Sequence, residues 1–285
     1  MVGKVDGAVI VVSSHVLRGA VGNRAVVFTL ERLGFTVWAV PTIVLPFHLG
    51  HGPSDKSVPD GQLFARQLEF LLRDNRGAGV AAVISGFLAS PEQADAVAAL
   101  VRTVKAARPD ALYLCDPVIG DAGRLYVPEP VAAAVRDRLL PLADIATPNA
   151  FECAWLAGAE GAAEPDLAAL ARGLPPPVVI ATSAPGLMRG HIGNLLTEPG
   201  GEWLLEHPAL PNRAHGTGDV LSALLLARRL EGHDWPKAAE MAVSSVFEIV
   251  AGTSKAGADE LLIPEFQHAI VQPRAPVSIR RIGRR

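Results

Sequence analysis

A short glycine-rich stretch with one carboxylate stands directly before an apolar helical pattern in AHGTGDVLSALLLARRL, residues 214–230. A helix that begins here would present unpaired backbone N–H groups and the positive end of its dipole, and Gly216 and Gly218 would let an anion approach the backbone closely. Asp219 has two interpretations. It can cap the helix, as aspartate often does, or it can take the proton of a hydroxyl that attacks a phosphate, which is the general base's role in phosphoryl transfer.

Two further carboxylates follow predicted strands. Asp116 lies in LCDPVIGD and Glu152 in ATPNAFE. Carboxylates at neighbouring strand ends can bind Mg²⁺ directly or through water, because hard cations prefer oxygen ligands. Each residue also has a plain structural interpretation, since Asp116 precedes proline and could start a turn, while Glu152 could be a first-turn helix acid.

The first predicted strand ends in a small polar residue, and the second leads into a long loop. Ser14 would face a ligand at the carboxyl edge of a parallel sheet, or else make local backbone bonds. The loop at 41–60 is rich in proline, glycine and histidine, which favours a lid over that edge. His48 and His51 lie in this loop without the spacing of a zinc site. The chain has neither GxxxxGK[ST] nor a GxGxxG after a strand, so it would bind ATP by neither of those motifs.

Short β-branched runs alternate with helical patterns along the chain, which predicts an α/β fold with a mostly parallel central sheet flanked by helices. Proline, glycine and two alternating segments after residue 190 predict an antiparallel hairpin at the sheet edge. The predicted strands are 7–14, 36–41, 80–85, 111–116, 143–148 and 177–182, with the hairpin formed by 191–199 and 202–210.

Length and composition indicate a single globular domain spanning 1–285. Of the 285 residues, 49% are hydrophobic and 19% charged, and the formal net charge is -3, which argues against a nucleic-acid-binding surface. Cys115 and Cys153 have no CxxC spacing and are expected to be buried thiols. No segment predicts a signal peptide or a membrane span, so we expect a cytoplasmic protein without membrane partners. The arginine-rich tail, 271–285, is expected to be a solvated, partly ordered terminus.

Taken together, the motifs of this chain resemble those of the pyridoxal kinases of the ribokinase-like superfamily over nearly its whole length. The motifs that carry the resemblance are SHVLRGAVGN near the start, SGFLAS at 85–90, CDPVIGDAGRLYVP at 115–128, ADIATPNAFE at 143–152, GTGD at 216–219 and AVSSVFEIV at 242–250. The resemblance implies a three-layer ribokinase-like fold and ATP-dependent phosphorylation of the 5′-hydroxymethyl group of pyridoxal, with pyridoxine and pyridoxamine as further substrates. It also implies Mg²⁺ and a homodimer, and it leaves open the use of a monovalent cation such as K⁺.

The resemblance assigns roles to the matching positions. Asp219 would be the base, and the backbone amides from Gly216 through Thr217 and Gly218 to Asp219 would stabilise the transferring phosphoryl group. The remaining roles fall into two sets. Asp116 and Glu152 would bind the metal and, with Thr147, Asn149, Thr182 and Ser183, the ATP phosphates, while Ser14, His48, His51 and Phe87 would contact the substrate.

Two departures from the family pattern concern the substrate rather than the phosphate chemistry. Leu49-Gly50-His51-Gly52 replaces the common Thr-x-Tyr-Gly of the covering loop, and Phe87 replaces a common tyrosine. Three alternatives stay open: a hydroxymethylpyrimidine kinase of the same superfamily, a sugar kinase, and a catalytically silent vitamin- or nucleotide-binding homologue. The aspartate of GTGD, where hydroxymethylpyrimidine kinases usually have cysteine, argues against the first.

Overall fold

A nine-stranded sheet runs through the whole molecule in the computed structural model, which describes residues 6–160, 166–211 and 214–282. The strand order is β11-β10-β9-β8-β7-β4-β3-β1-β2, and β5 and β6 form a separate small ribbon. The strands are β1 Ala8–Val16, β2 Thr36–Leu45, β3 Val80–Ser85, β4 Leu112–Cys115, β5 Gly120–Asp121, β6 Arg124–Leu125, β7 Ile145–Ala146, β8 Val178–Pro185, β9 His191–Glu198, β10 Gly201–Pro208 and β11 Ser278–Ile282.

Helices cover both faces of this sheet. They are α1 Asn23–Arg32, α2 Gly61–Leu71, α3 Pro91–Ala107, α4 Glu129–Ala134, α5 Ala150–Leu156, α6 Leu167–Gly173, α7 Thr217–Leu230, α8 Trp235–Ala256 and α9 His268–Val271. Central strands are buried on both sides, so alternate residues enter opposite cores: Ile10 and Val12 pack on the α3 side, Val9 and Val11 on the α7 and α8 side. No helix among the described residues is long and apolar enough to cross a membrane.

The strands pair in two ways, as the sequence predicts. Pairing is parallel from β2 through β1, β3, β4 and β7 to β8, and antiparallel from β8 through β9 and β10 to β11. The predicted α/β architecture with a hairpin at one end of a mostly parallel sheet is therefore confirmed. All parallel strands end at one edge of the sheet, where the loops that follow them meet.

Within the terminus at 271–285, which was expected to be solvated and partly ordered, residues 278–282 are ordered. These residues form β11, which pairs with β10 and replaces the hairpin as the outermost strand. The arginines remove the apolar pattern by which a strand is predicted from sequence, but charged side chains are typical of an exposed edge strand. Arg281 lies 5.5 Å from the ring centroid of Trp203 and so covers part of the hairpin.

The proposed covering loop at 41–60 is shorter than predicted, because β2 continues through Leu45. Pro41 is tolerated inside this strand since β2 lies at the other sheet edge, where a missing N–H breaks no ladder bond. After a 3₁₀ turn at Leu49–His51, the chain returns and Ser57 pairs with Val44. The loop is thus tied back to the strand from which it leaves.

Candidate active site

Helix α7 begins at the carboxyl edge of the sheet without a side-chain cap. Gly216 is its N-cap residue in a left-handed conformation, φ 99°, and none of the described side chains accepts a hydrogen bond there. A Cβ at this position would overlap the carbonyl oxygen of Ala20. Thr217 and Gly218, the next two residues, border an open cleft. The backbone N–H groups of this first turn are therefore available to an anion, as the glycine-rich sequence predicts.

Asp219 is not the helix cap. It is the third residue of α7, and its Oδ2 accepts a hydrogen bond from the backbone N–H of Gly22 at 2.9 Å. Burial raises the pKa of Asp219 to about 6, and the Gly22 N–H partly opposes this shift. A carboxylate with this pKa is ionised at neutral pH yet close enough to its titration range to accept a proton.

Ser14 lies beside the same contact. It occupies the irregular register of β1 between Ser13 and His15, and Gly22 packs so closely on it that a Cβ at Gly22 would overlap the Ser14 carbonyl and hydroxyl. The left-handed φ of 56° at this glycine, together with that close approach, requires a residue without a side chain. The structure therefore brings Ser14 close to Asp219 through Gly22, a residue that was not predicted to belong to the site.

Phe87 follows β3 and lies next to the first strand. Its backbone N–H donates to Ser13 Oγ at 3.3 Å, and its carbonyl accepts from Thr42 Oγ1 at 2.7 Å. Its half-buried ring packs against a small apolar cluster that includes Val16 and Ile43. Phe87 thus lies at the same sheet edge as Ser14, with an apolar ring where a hydroxyl is common in the family that the motifs resemble.

Asp116, which follows β4, is linked directly to α7. Ser222 donates to Asp116 Oδ2 at 3.1 Å and forms a second hydrogen bond of 2.8 Å with the hydroxyl of Thr147. Burial holds the pKa of Asp116 well above its usual range, and the charges of Asp219 and Glu152 raise it further. Ser222 and Asp219 are three residues apart on one face of α7, and this spacing is the signal by which Ser222 could have been found in the sequence.

Glu152 is a first-turn acid of helix α5, which is the structural role that the sequence allowed. Its Oε2 accepts the N–H of Asn149 at 2.9 Å, and Asn149 in turn caps α5, so the two residues form a capping box. Its Oε1 accepts the N–H groups of Ile119 and Gly120. Burial raises its pKa to about 7 against the opposing effect of these three donors, and the nearby charge of Asp121 adds to the rise.

A cleft of about 200 Å³ lies on the other side of the α7 N-terminus. Thr182 and Ser183 line it from the end of β8, where the register shifts and Ser183 adopts a left-handed φ of 56°. Its opposite wall is apolar and belongs to α8. That wall contains Val243, Val246, Phe247 and Val250, whose spacing places them on one helix face. These residues belong to the AVSSVFEIV motif at 242–250, in which no site residue was predicted.

Three histidines gather over the start of α7. The His48 ring lies 4.1 Å from that of His215, and His51 Nε2 lies 3.2 Å from the Glu260 carboxylate. His48 Nδ1 also accepts a backbone N–H of the 3₁₀ turn at 3.1 Å. Burial, followed by the charges of His215 and His51, lowers the pKa of His48 to about 4, so this ring is neutral at neutral pH. The covering loop is thereby held against the residue that precedes Gly216.

The described residues contain no cluster of three or more His, Cys, Asp or Glu side chains with metal-binding geometry. The buried carboxylates nevertheless influence one another, because the charges of Asp219 and Glu152 both raise the pKa of Asp116. Such crowding of oxygen donors with like charge fits a hard divalent cation that keeps several water ligands. Both Glu152 oxygens already accept backbone N–H bonds. Asp116 therefore fits direct coordination better than Glu152 does.

Comparison with known proteins places the chain among small-molecule kinases. A family model described as phosphomethylpyrimidine kinase matches residues 19–262. Pyridoxal kinase PdxY of Leifsonia xyli is 35% identical over 95% of this chain and 98% of its own, and Pyridoxal kinase PdxY of Granulibacter bethesdensis is 35% identical over 92% and 95%. The structure resembles pyridoxal kinase from Leishmania donovani in complex with ADP and pyridoxine, with a TM-score of 0.88 and 29% identity over 98% of this chain and all of that one.

Proposed function

The chain belongs to the phosphomethylpyrimidine kinase family, and from that premise we propose that it transfers the γ-phosphoryl group of ATP to the 5′-hydroxymethyl group of pyridoxal. Relatives that cover nearly the whole chain are pyridoxal kinases, and structures of one of them hold ADP with pyridoxine or pyridoxamine. The resemblance predicted from the sequence motifs is confirmed, as is the ribokinase-like α/β fold. The protein is a kinase with an alcohol acceptor, and the product of the proposed reaction is pyridoxal 5′-phosphate.

One observation carries the chemistry of this proposal: Asp219 lies in the uncapped first turn of α7 with one oxygen fixed by Gly22. In the proposed reaction, the first-turn N–H groups from Gly216 to Asp219 stabilise the charge of the transferring phosphoryl group. The substrate hydroxyl donates its proton to Oδ1 of Asp219, because Oδ2 already accepts the Gly22 N–H. The oxygen freed of its proton then attacks phosphorus, and ADP leaves.

Mg²⁺ is part of the proposal, with Asp116 as its ligand and Glu152 contributing negative charge nearby. A bound magnesium ion neutralises phosphate charge during the transfer. Asp116 is anchored for this task by Ser222, which also bonds Thr147. Thr182, Ser183 and Asn149 would then bind the nucleotide along the cleft, since Asn149 pairs with Thr182 at the sheet edge.

The substrate would lie between Ser14, Phe87 and the covering loop. Ser14 supplies a hydroxyl, Phe87 an apolar ring face, and His48 and His51 close the space from the loop. This set offers few hydrogen-bond partners for a pyridine ring, and a site without such partners discriminates weakly between related substrates. We therefore expect pyridoxine and pyridoxamine to be accepted together with pyridoxal.

A panel of four alcohols tests the proposal. Purified protein with Mg²⁺ and ATP is offered pyridoxal, pyridoxine, pyridoxamine or hydroxymethylpyrimidine, and phosphorylated product is measured by mass spectrometry. Pyridoxal 5′-phosphate as the best product supports the proposal. Preference for hydroxymethylpyrimidine, the class named by the matching family model, would replace it, and tight pyridoxal binding without any product would indicate a silent binding protein.

A homodimer in the cytoplasm completes the proposal. Leu17, Leu49 and Val58 are exposed apolar residues, and they lie around the end of the edge strand β2, since Leu17 bonds Leu45 and Val58 follows the Ser57 bridge to Val44. Burying them against a second copy would remove this apolar surface from water. Both cysteines are buried and unpaired, as expected in a reducing compartment. Sedimentation that shows only monomer at micromolar concentration would refute the dimer.

A further inference from the structure

Asn194 is a polar residue that lies between two apolar residues on one face of β9. Alternate residues of a strand share a face, so Asn194 faces the same side as Ile192 and Leu196. Leu196 is fully buried in the core beneath α7 and α8, and Ile192 borders the cleft. Packing alone would favour a third apolar residue at this position. A local exception of this kind is most often found at a functional site.

The amide of Asn194 has unused hydrogen-bonding capacity. The residue is only 8% exposed and lines the cleft, yet its side-chain amide makes no hydrogen bond with any other part of the chain that the structure describes. A carboxamide carries two donors and an acceptor oxygen. The residue lines the cleft, so these groups can reach a molecule bound there, and a cleft ligand that supplies both a donor and an acceptor would match them.

His207 places a second polar group beside this amide. Asn194 pairs with Leu205 and Ile192 with His207, which makes Asn194 and His207 diagonal neighbours on one face of the hairpin. The His207 ring packs on Phe247, with centroids 4.7 Å apart, and its Nδ1 lies 3.0 Å from the Pro208 carbonyl. A carbonyl can only accept, so Nδ1 carries the proton and Nε2 is left with a lone pair. Burial lowers the pKa of His207, which keeps the ring neutral.

The two groups differ in what they select. An amide by itself can pair with the edge of adenine or of a 6-oxo purine, since both edges combine a donor and an acceptor. The lone pair of His207 distinguishes the two purines, because it attracts the exocyclic amino group of adenine and repels the carbonyl oxygen of a 6-oxo purine. The apolar wall of α8, with Val246, Phe247 and Val250, provides a surface for a flat ring in the same cleft.

We propose that Asn194, with His207 beside it, recognises position 6 of the nucleobase and selects a 6-amino purine over a 6-oxo purine. This inference rests on the proposed kinase function, which places the nucleotide in this cleft with its phosphates at the start of α7. Asn194 and His207 are specificity-determining residues, whereas the α8 wall contributes affinity without selecting a base.

Equilibrium binding of ADP and IDP tests the proposal, because these nucleotides differ at position 6 and neither requires turnover. With Mg²⁺ present, calorimetry is expected to show ADP bound about tenfold more tightly than IDP, the effect of roughly one hydrogen bond. In Asn194→Leu, ADP affinity should fall about tenfold while IDP affinity changes much less. The control variant, Val250→Ala, should weaken both nucleotides in the same proportion.

Each alternative outcome is informative. Equal affinity of the unmodified protein for ADP and IDP, or an equal loss of both in Asn194→Leu, would overturn the inference and leave the kinase function standing. Absence of binding by either nucleotide would overturn both. Folding of the variant is monitored by its thermal midpoint, which should not decrease, because leucine fits this apolar face. Asn194→Ala gives a second measurement of the ADP to IDP ratio with a smaller side chain.

Discussion

Asp219 is subject to two opposing influences. Burial raises its pKa to about 6, whereas the Gly22 N–H stabilises the ionised form. Its charge in turn raises the pKa of Asp116, so the two carboxylates are coupled electrostatically. The glycine-rich sequence predicted an anion site next to a carboxylate, but it could not decide between a base and a cap. The choice depends on Gly22, which is distant in sequence and has no side chain by which to recognise a partner.

The pH dependence of turnover should show the pKa of Asp219. A general base must be ionised, so kcat/KM is expected to fall as the pH decreases through about 6 and to fall tenfold per pH unit below that value. Rates measured from pH 5 to pH 8 at saturating ATP and low pyridoxal provide the profile. A rate that stays constant down to pH 5 would show that another group accepts the proton.

Removing the charge of Asp219 should separate activity from stability. Asp219→Asn is expected to lower kcat by at least about 10²-fold while ADP binding persists, because the general base is lost and the first-turn N–H groups remain. The folded-state pKa of Asp219 lies above the ordinary aspartate pKa of 3.8. Its contribution to the free energy of unfolding is therefore greatest at low pH and is lost as the pH rises from about 4 to about 6.

Relative to the midpoint of the unmodified protein, the thermal midpoint of Asp219→Asn should thus rise as the pH increases from about 4 to about 6. Asp110, whose side chain is 76% exposed, provides the matched control. Asp110→Asn should change neither turnover nor the pH dependence of the midpoint. Near-normal turnover of Asp219→Asn would contradict the assignment of the base.

At the scale of secondary-structure elements, α7 unites the site. Its first turn offers backbone N–H groups, its third residue is Asp219, and one turn later Ser222 anchors Asp116. Periodicity and glycine chemistry predicted this helix and its start, since both signals are local. Ser222 was missed because a serine in an apolar helix is usually satisfied by its own backbone. The hydroxyls of Thr147 and Ser222 meet only after β7 and α7 have packed.

The loop between β1 and α1 should be as important as α7 for activity. Gly22 and Gly34 lie at the two ends of α1, and both have left-handed backbone angles, φ 56° and 88°. A Cβ at Gly22 would overlap Ser14, whereas nothing lies within 4 Å of one at Gly34. Gly22→Ala is therefore expected to displace the Asp219 contact and to lower kcat/KM about tenfold or more, while Gly34→Ala lowers stability by about 1 kcal/mol and leaves activity intact.

Steady-state kinetics and chemical denaturation of the two variants test this expectation. Equal losses of activity in Gly22→Ala and Gly34→Ala would show that the loss comes from the strained backbone conformation and that the packing of Gly22 on Ser14 does not affect activity.

At the scale of the whole molecule, the sequence predicted the α/β class of the fold, but it did not predict the two outermost strands of the sheet correctly. Buried parallel strands are continuous apolar runs, which made β1, β3 and β8 easy to predict. β11 was missed because its exposed arginines resemble a solvated tail. The extent of β2 was underestimated because Pro41 usually ends a strand, and only its position at a sheet edge removes that objection.

The Gly22 to Asp219 hydrogen bond joins residues 197 positions apart. Contacts between such distant segments form late, since local structure must be in place before the chain can close so large a loop. Activity should therefore be the last property regained after dilution from denaturant. Tryptophan fluorescence, which reports on Trp155 and other packed side chains, should recover first. Enzyme activity that returns with or before fluorescence would contradict this order. The base reaches its working position only when these two distant segments of the chain have met, so enzyme activity is a measure of complete folding.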